Sequence, residues 1–580
     1  MNPSSRSGSV LHCNRRPVLR LRRARRGGLI LIVVLVMISL LSLLAASYAF
    51  MVQANMRGAM AIHHRFQAQM AAESGFQRAV AVLRESRNDA GIWYNNPQLF
   101  RAILVEGTEE EAEADTQQQI AKVSETGWYD TSAKPAWRFS LYARNSDDPV
   151  TVRYGVTDET SKIDLNRVTE AQLRRFLELT IPQDTANPVD INVLVDSLLD
   201  WREPGNQPRP NGAKDEYYQG LEPPYRSKNA PFSTIEELLL VRGFSAWVLF
   251  GEDYNRNGLL DPNEDDADAS FPPDNGDGIL YAGIAPYLTL WSRETNMSSD
   301  QRPRINLNMQ DTQKLQELIS EQFSAEIVNY VLSVRASGMA FNSVMNLLPA
   351  PPTPESEEAP PEDGLPPDLQ PPPDDSTTTQ PTTNPADGFD AGLQDGSTDL
   401  SQSESASEKS QTAKPPEFKD LTQEVPPGTY EDLPLILDRL TTDPVPLYVG
   451  RLNISTAARE ALASIEQLTD AEIDAIVAAR VDLSPEERRT PAWLVARGVL
   501  TEHKFRWILP RLALGSSVFQ VECVGYADHV GVMDRMNVVF EMRGPIPQVL
   551  YKRRLNNLGT AYMPHGEEIR AAQQQAPVNR

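Results

Sequence analysis

The amino-terminal part of the chain contains an apolar segment long enough to cross a membrane. Residues Leu29 to Phe50 carry no charged side chain, and a helix of that length reaches about 33 Å, enough for the hydrocarbon layer of a bilayer. From Met51 to Glu85 there is no proline, and apolar residues recur at spacings of three, four or six. This pattern predicts that the helix continues beyond the membrane as one long rod. The recurring residues are Met56, Met60, His63, Phe66, Met70, Phe76, Val80 and Leu83.

A basic segment precedes the apolar run. It contains Arg6, Arg15, Arg16, Arg20, Arg22, Arg23, Arg25 and Arg26, and no acidic residue occurs before Glu73. Because positive charge stays on the cytoplasmic side, we expect a cytoplasmic N-terminus and an exported remainder. Ala45-Ala46-Ser47 imitates a signal-peptidase site, but a cleaved signal would have a shorter apolar core. An uncleaved single-pass anchor is the alternative interpretation.

A basic leader, a glycine and an apolar half-helix that continues into an amphipathic half together resemble the N-terminus of type IV pilin-like proteins. The resemblance implies that a prepilin peptidase cuts after Gly27 or Gly28. The fifth mature residue would be Ile32 or Val33, where most pilin-like subunits carry a glutamate. Within that family, the lack of this acid is typical of the large minor pseudopilin at the fibre tip, protein K of type II secretion systems.

The resemblance also implies an antiparallel sheet packed on the long helix. Alternating patterns and turn residues predict strands at Trp137–Ala143, Val150–Val156, Val518–Gly525 and Val532–Met542. We expect these strands to form one sheet, split in sequence by a large helical insertion. The predicted fold class is therefore α+β: a long transmembrane and amphipathic helix packed on a pilin-like sheet, with an inserted helical domain resembling helix-hairpin-helix or sterile-alpha-motif units.

One phrase recurs three times in the insertion, at Ile163–Asn166, Ile305–Asn308 and Leu452–Ser455. Leucines at helical spacing follow each copy, and we predict that the Asn or Ser of the phrase caps the helix that comes next. The hairpin of the third copy, Glu466–Thr469, offers an acid and no glycine. This composition favours a structural module over a DNA-binding one.

The segment between Ile163 and Gly243 resembles the central helical domain of the protein K family most densely. The matching phrases are Asp196–Pro204, Pro208–Tyr218, Pro224–Asn229 and Ile235–Gly243. We expect Asp200 and Asp215 to hydrogen-bond neighbouring backbone, and we expect no enzymatic activity.

A further segment has the spacing of an EF-hand calcium loop. Oxygen-bearing side chains stand at positions one, three, five and nine, glycine at six and glutamate at twelve. The candidate Ca²⁺ ligands are Asp253, Asn255, Asn257, Leu259 through its carbonyl, Asp261 and Glu264. A short helix is predicted before the loop, at Ser245–Phe250, and the residues after it are poor helix formers. A second acidic loop, Asp274–Gly278, is predicted to add ligands or to form a weaker site.

Composition narrows the function classes. The net charge of -24 disfavours broad binding to nucleic acid, which needs basic patches. The chain has two cysteines, Cys13 and Cys523, so removal of the leader would leave Cys523 without an intramolecular partner. Between Pro349 and Glu408 there are many acids and prolines but no Lys or Arg, which predicts a disordered linker.

These observations predict a minor pseudopilin of type II secretion, a single-pass protein of the bacterial inner membrane with most of its chain in the periplasm. Its expected partners are the I- and J-type minor pseudopilins, the prepilin peptidase and the inner-membrane secretion platform. The alternatives are a minor pilin of a type IV pilus and a membrane-anchored DNA-uptake receptor.

The sequence predicts eight divisions of the chain. They are residues 1–28 as the leader, 29–90 as the long helix, 91–157 as the first part of the head, 158–348 as the insertion with the calcium loop, 349–428 as the linker, 429–515 as the second part of the insertion, 516–560 as the last strands of the head and 561–580 as the tail.

Overall fold

The computed structural model describes residues 27–126, 135–145, 151–182, 188–267, 269–351, 425–527 and 531–559. The basic leader before Gly27, most of the predicted acidic linker and the predicted tail lie outside the described residues.

The described chain contains fifteen α-helices and thirteen strands. The α-helices are α1 (Gly27–Ser86), α2 (Ala90–Trp93), α3 (Pro97–Phe100), α4 (Glu109–Thr126), α5 (Glu170–Thr180), α6 (Ile191–Arg202), α7 (Asp215–Gln219), α8 (Ala246–Phe250), α9 (Thr312–Ser320), α10 (Ala325–Ala336), α11 (Leu433–Arg439), α12 (Arg459–Leu462), α13 (Asp470–Ala479), α14 (Trp493–Ala496) and α15 (Glu502–Ile508). The strands are β1 (Ile103–Leu104), β2 (Trp137–Arg144), β3 (Val152–Tyr154), β4 (Thr157–Asp158), β5 (Ile163–Asp164), β6 (Leu288–Thr289), β7 (Arg293–Thr295), β8 (Ile305–Asn306), β9 (Leu440–Thr441), β10 (Leu447–Val449), β11 (Val518–Ala527), β12 (Met533–Glu541) and β13 (Gln548–Arg554).

Helix α1 is continuous over 60 residues, which confirms that the apolar run and the stripe beyond it form a single rod. Within the described chain, Ile30–Ser86 is the one helix long and apolar enough, by length and composition, to cross a membrane. Its first part is exposed, whereas the face from Ala68 to Leu83 is buried. Within the described residues, the helix therefore has an exposed apolar part and a second part that packs against the head.

The head is a seven-stranded antiparallel sheet with the central order β1-β2-β11-β12-β13, in which β3 pairs with β2 and β4 with β11. Strand β11 lies between β2 and β12, so that Cys523 faces Leu141 on one side and Met536 on the other. All four predicted strands belong to this one sheet. The edge strand β13 was not predicted, because its sequence, QVLYKRR, is partly exposed on both faces and lacks clear alternation.

Helix α1 covers one face of this sheet. Phe76 of the helix meets Phe540 of β12 edge to face, with ring centroids 5.2 Å apart. Close approach is possible at Gly525 of β11, because a Cβ there would lie 2.1 Å from the Ala68 carbonyl oxygen and 2.4 Å from the Ala72 nitrogen. A glycine facing alanines thus brings two backbones into contact.

The insertion has its own core, in which the three repeated phrases are structurally equivalent. Strand β5 pairs in parallel with β6, β8 pairs in parallel with β9, and Leu452 forms a parallel bridge with Leu512. In each copy the second residue accepts a hydrogen bond from the backbone N–H two positions later, as in an Asx turn. These bonds are Asn166 N to Asp164 Oδ1 (2.9 Å), Asn308 N to Asn306 Oδ1 (2.8 Å) and Ser455 N to Asn453 Oδ1 (3.1 Å).

The prediction that these phrases cap the following helices is wrong. Helix α5 is capped by Thr169 and α9 by Asp311, whereas α12 begins after Ala458 without a side-chain cap. The polar residues of the phrase are used in the Asx turn and in contacts to later segments. In the first copy, for example, the Asn166 side chain donates to the Phe232 carbonyl at 3.1 Å and accepts from the Phe232 N–H at 2.8 Å.

The two described ends that flank the acidic segment are held together. The Gly428 N–H donates to the Leu347 carbonyl at 3.0 Å. The buried Arg506 guanidinium donates to the Met345 carbonyl at 2.8 Å and to the Leu348 carbonyl at 3.2 Å, and its Nη2 lies 3.4 Å from the Tyr430 hydroxyl. The chain therefore leaves the insertion and returns to it at one closed stem.

This stem predicts that residues 352–424 can be replaced by a short Gly-Ser linker without loss of the fold. Because the Arg506 and Gly428 bonds fix both described ends, we expect shortening to act through loop-closure entropy, by about 0.6 kcal/mol for each halving of the length. We expect the free energy of unfolding to stay within about 2 kcal/mol of wild type, measured by thermal denaturation in detergent. The same replacement combined with Arg506→Met should melt clearly earlier. Aggregation of the simple replacement would contradict the prediction.

Candidate metal centre

The predicted calcium loop follows directly on helix α8. Ser245 caps this helix through a bond from the Val248 N–H, and Gly251 ends it with a φ of 59°. A Cβ on Gly251 would lie 1.8 Å from the Tyr281 carbonyl oxygen, so only glycine allows this exit. The short helix predicted before the loop is thus present, and the described residues 265–267 and 269–284 contain no helix after it.

The first half of the loop wraps around the carboxylate of Asp253. Its Oδ1 accepts from the Asn257 N–H and its Oδ2 from the Gly258 N–H, both at 2.9 Å. Gly258 has a φ of 71°, the left-handed conformation that the predicted sharp bend requires. The side-chain oxygens of Asn255 and Asn257 accept from the backbone two residues ahead, at 3.0 and 2.6 Å. The turn is therefore built by the residue types proposed as ligands.

Glu264 closes the loop from its far end. Its Oε1 accepts from the Tyr254 N–H at 3.0 Å and its Oε2 from the Asp261 N–H at 3.1 Å. The carboxylate of Asp261 accepts from the side-chain amides of Asn255 at 2.6 Å and Asn257 at 3.0 Å. The five predicted ligands that would use side chains thus form one hydrogen-bonded network.

Two further observations concern the oxygen donors that the loop could offer to a cation. Leu259 lies in the same turn, but the contacts described for it are those of its N–H and its side chain, so its carbonyl as a ligand stays a prediction. Among the described residues, no three Asp, Glu, His or Cys side chains are gathered as a ready-made metal cluster. A cation here would need amide and carbonyl oxygens besides the carboxylates, a donor set that suits Ca²⁺.

Two carboxylates of the loop, those of Asp253 and Glu264, have raised pKa values. Burial raises the pKa of Glu264 to about 7, and the charges of Asp253 and Asp261 add to the shift. Burial also raises the pKa of Asp253 to about 6, although N–H donors and the nearby Arg144 and Arg535 oppose the shift. A bound divalent cation would offset the cost of burying the two charged carboxylates and the repulsion between them, because it favours the charged form of each acid.

In the metal-free protein these shifts predict a loss of stability as pH rises. The folded chain retains protons on Glu264 and Asp253 that the unfolded chain has released, so the free energy of unfolding should fall between about pH 4 and pH 7. Thermal melts in chelator at about pH 5 and pH 7.5 measure the effect, and Glu264→Gln, which is neutral at both, should show a smaller difference. An equal pH dependence in both proteins would contradict the prediction.

The second acidic loop lies next to the first. Asp274 Oδ1 accepts from the N–H groups of Ala267 and Gly276, both at 2.8 Å, and Asp265 Oδ1 accepts from Gly278 at 2.9 Å. Burial raises the pKa of Glu252, with the charges of Asp277 and Asp274 acting in the same direction. The second loop therefore adds negative charge beside the candidate centre, and its own binding of metal stays a prediction.

Asp200 and Asp215, singled out in the sequence, accept hydrogen bonds from backbone N–H groups. Asp200 Oδ2 accepts from the Arg209 N–H at 2.9 Å, and Asp215 Oδ1 accepts from the Ser227 N–H at 2.8 Å. Both bonds confirm that these acids hold neighbouring backbone.

A family model described as "Type II secretion system (T2SS), protein K" matches residues 157–249. The resemblance to protein K is confirmed for this segment. The protein K match runs from β4 into α8 and ends four residues before Asp253, so it includes the first repeated phrase and stops short of the loop.

The chain was also compared with solved structures and with curated proteins. A chain in the crystal structure of the GspK-GspI-GspJ complex from the enterotoxigenic Escherichia coli type 2 secretion system is similar at 10% identity, with a TM-score of 0.34. The similarity covers 86% of this chain and 99% of that one. A search of curated proteins found no significant match.

Proposed function

We propose that this protein is a minor pseudopilin of a type II secretion system. Its helix α1 would span the inner membrane and pack among the helices of sister subunits, with the head and the insertion in the periplasm. The family match over residues 157–249 supports the secretion system, and the union of α1 with one antiparallel sheet supports the pilin-like role. The proposed partners are I- and J-type minor pseudopilins, the prepilin peptidase and the inner-membrane platform.

We further propose a position at the tip of the pseudopilus, where the protein would start assembly and support export of folded proteins. The observation that carries this proposal is the location of the insertion against the end of α1 that points away from the membrane. Directly after that end, Arg87 donates to the Gln301 side chain and Asn88 to the Ser299 carbonyl. A subunit added above would need the space that the insertion already occupies.

Labelling of assembled fibres tests the tip position. Val481 of the insertion is 69% exposed, so a Val481→Cys variant can carry a gold particle or a fluorophore. We expect one label at one end of each pseudopilus. Labels repeated at regular intervals along the shaft would overturn the proposal.

Processing at Gly27 or Gly28 is predicted to accompany this role. These glycines begin α1, and the described helix continues from them into the apolar segment. The intact mass of protein extracted from membranes should lack the basic leader when the prepilin peptidase is present and include it when the peptidase gene is deleted. A mass that retains Met1 to Arg26 in both strains would exclude cleavage.

We also propose that the loop from Asp253 to Glu264 binds Ca²⁺ in a structural role. The donor set is made of oxygens, and two of its carboxylates are buried with raised pKa values, so a divalent cation would stabilise the loop. The residues that would hold the ion are the predicted ones, and the ion would supply charge compensation without bond-making chemistry.

A further inference from the structure

The candidate calcium loop does not project into solvent but lies on the head. Neighbouring residues of a strand point to opposite faces of a sheet, and Cys523 of β11 packs in the core that includes α1. Val524 and Tyr526 form a small cluster with Tyr142 on the other face, and Leu259 of the loop packs against this cluster. The sheet thus carries α1 on one face and the loop on the other.

One side chain of the sheet holds the loop backbone directly. Arg535 of β12 is fully buried. Its Nη1 donates to the Asn255 carbonyl at 2.6 Å and its Nη2 to the Arg256 carbonyl at 2.8 Å, while its Nε pairs with Glu522 of β11. Both carbonyls lie between the predicted ligands Asp253 and Asn257. The conformation of the proposed ligand turn therefore depends on an arginine that belongs to the head.

A second connection runs through an ion-pair chain. Arg256 of the loop has a φ of 58°, and its guanidinium lies 3.7 Å from the centroid of the Phe250 ring. It also pairs with Glu236 of the insertion at 3.5 Å, and Arg553 of β13 pairs with the same carboxylate at 2.6 Å. Because these three side chains are about one-third exposed, this chain contributes less than the buried Arg535 contacts.

We propose that this loop is a metal-dependent contact between the insertion and the head, and that Arg535 is the positioning residue that couples metal binding to the docking of the two parts. The proposal rests on the calcium site proposed above. A cation that orders Asn255 and Asn257 also fixes the carbonyls of Asn255 and Arg256 in the geometry that Arg535 accepts. Coupling of this kind is reciprocal: loss of Arg535 weakens calcium binding, and loss of calcium loosens the docking.

The test measures calcium affinity and docking separately on the full-length protein in detergent. Affinity is obtained by competition with a chromophoric chelator for wild type, Arg535→Met and the control Arg459→Met, whose arginine belongs to an exposed ion pair of the insertion. Docking is measured as the spin-label distance distribution between Val481→Cys and Val549→Cys, both exposed, with Cys13 replaced by serine. Glu236→Gln provides a milder second variant that interrupts the ion-pair chain.

We expect calcium to narrow the distance distribution of wild type and of Arg459→Met. Arg535→Met should bind calcium at least tenfold more weakly and keep a broad distribution at a calcium concentration that saturates wild type. Glu236→Gln should bind about threefold more weakly, so the proposal stays testable if Arg535→Met does not fold.

The outcomes separate this proposal from the one on which it rests. Wild type that binds no calcium overturns the metal site itself, and with it the metal-dependent contact. Wild type that binds calcium, with unchanged affinity and unchanged narrowing in Arg535→Met, overturns the metal-dependent contact and leaves the site in place. If Arg535→Met does not fold, unchanged affinity and narrowing in Glu236→Gln overturn the metal-dependent contact.

Discussion

Replacing both Asp253 and Glu264 with alanine is expected to abolish the stabilisation that calcium gives to this protein. At a free calcium concentration of 100 times the dissociation constant, binding adds about 2.7 kcal/mol to the free energy of unfolding. For a folded unit of about 280 residues, the size of the described insertion, this corresponds to a rise in Tm of about 4–5 °C. The measurement is a pair of thermal melts in detergent, one in calcium and one in chelator. The double variant should melt at the same temperature in both.

The matched control removes two exposed acids of the insertion. Glu170 and Asp474 belong to surface ion pairs with Arg174 and Arg459, so Glu170→Ala with Asp474→Ala changes the charge by the same amount. This control should keep the full rise in Tm. If the double variant at Asp253 and Glu264 differs from wild type by the same Tm in calcium as in chelator, the loop binds no metal.

Gly525→Val is expected to detach α1 from the head. The new side chain would have to occupy the space of the Ala68 carbonyl oxygen and the Ala72 nitrogen, which are backbone atoms and cannot rotate away. Overpacking typically costs about 1–3 kcal/mol, and a clash with two backbone atoms places this substitution at the upper end of that range. We expect a large fall in Tm and proteolysis of the extracted protein near the end of the exposed part of α1.

Gly544→Val is the control for this substitution. No atom lies within 4 Å of a Cβ at Gly544, and its φ lies outside the positive range that favours glycine. This variant should melt within about 2 °C of wild type, since surface substitutions usually change stability by less than 0.5 kcal/mol. If Gly525→Val has the same Tm as Gly544→Val, the close packing of α1 on β11 is contradicted.

The main elements of the head could be predicted because their signals are local or strongly periodic. The apolar run and the helical spacing beyond it predicted α1. The alternation of apolar and polar residues predicted β2, β11 and β12, with ends within one or two residues of those observed. Strand β13 was missed because an edge strand has no buried face to impose a pattern. The capping of helices by the repeated phrases was predicted wrongly because Asn and Asp serve Asx turns as readily as helix caps.

The candidate site was predicted only as far as its own loop extends. The spacing from Asp253 to Glu264 is a local signal, and the structure brings those side chains into one network. The role of Arg535 could not be read from the sequence, since 280 residues separate it from Asn255. Nothing near Arg535 in the chain distinguishes it from the other arginines of the last strands. Only the pairing of β11 with β12 and the position of the insertion reveal that contact.

The split sheet has a consequence for biosynthesis. Ser140 Oγ and Tyr526 Oη lie 3.4 Å apart although 386 residues separate them. Ribosomes add about 5–20 residues per second, so roughly 20–80 s elapse between synthesis of the two strands. During that delay β11 has not yet been synthesised, so the backbone N–H and C=O groups of β2 that would bond to it are unpaired and can pair with other strands. The head therefore cannot complete its sheet until translation is almost finished, and we expect codon changes that slow the ribosome between β2 and β11 to increase degradation of the protein.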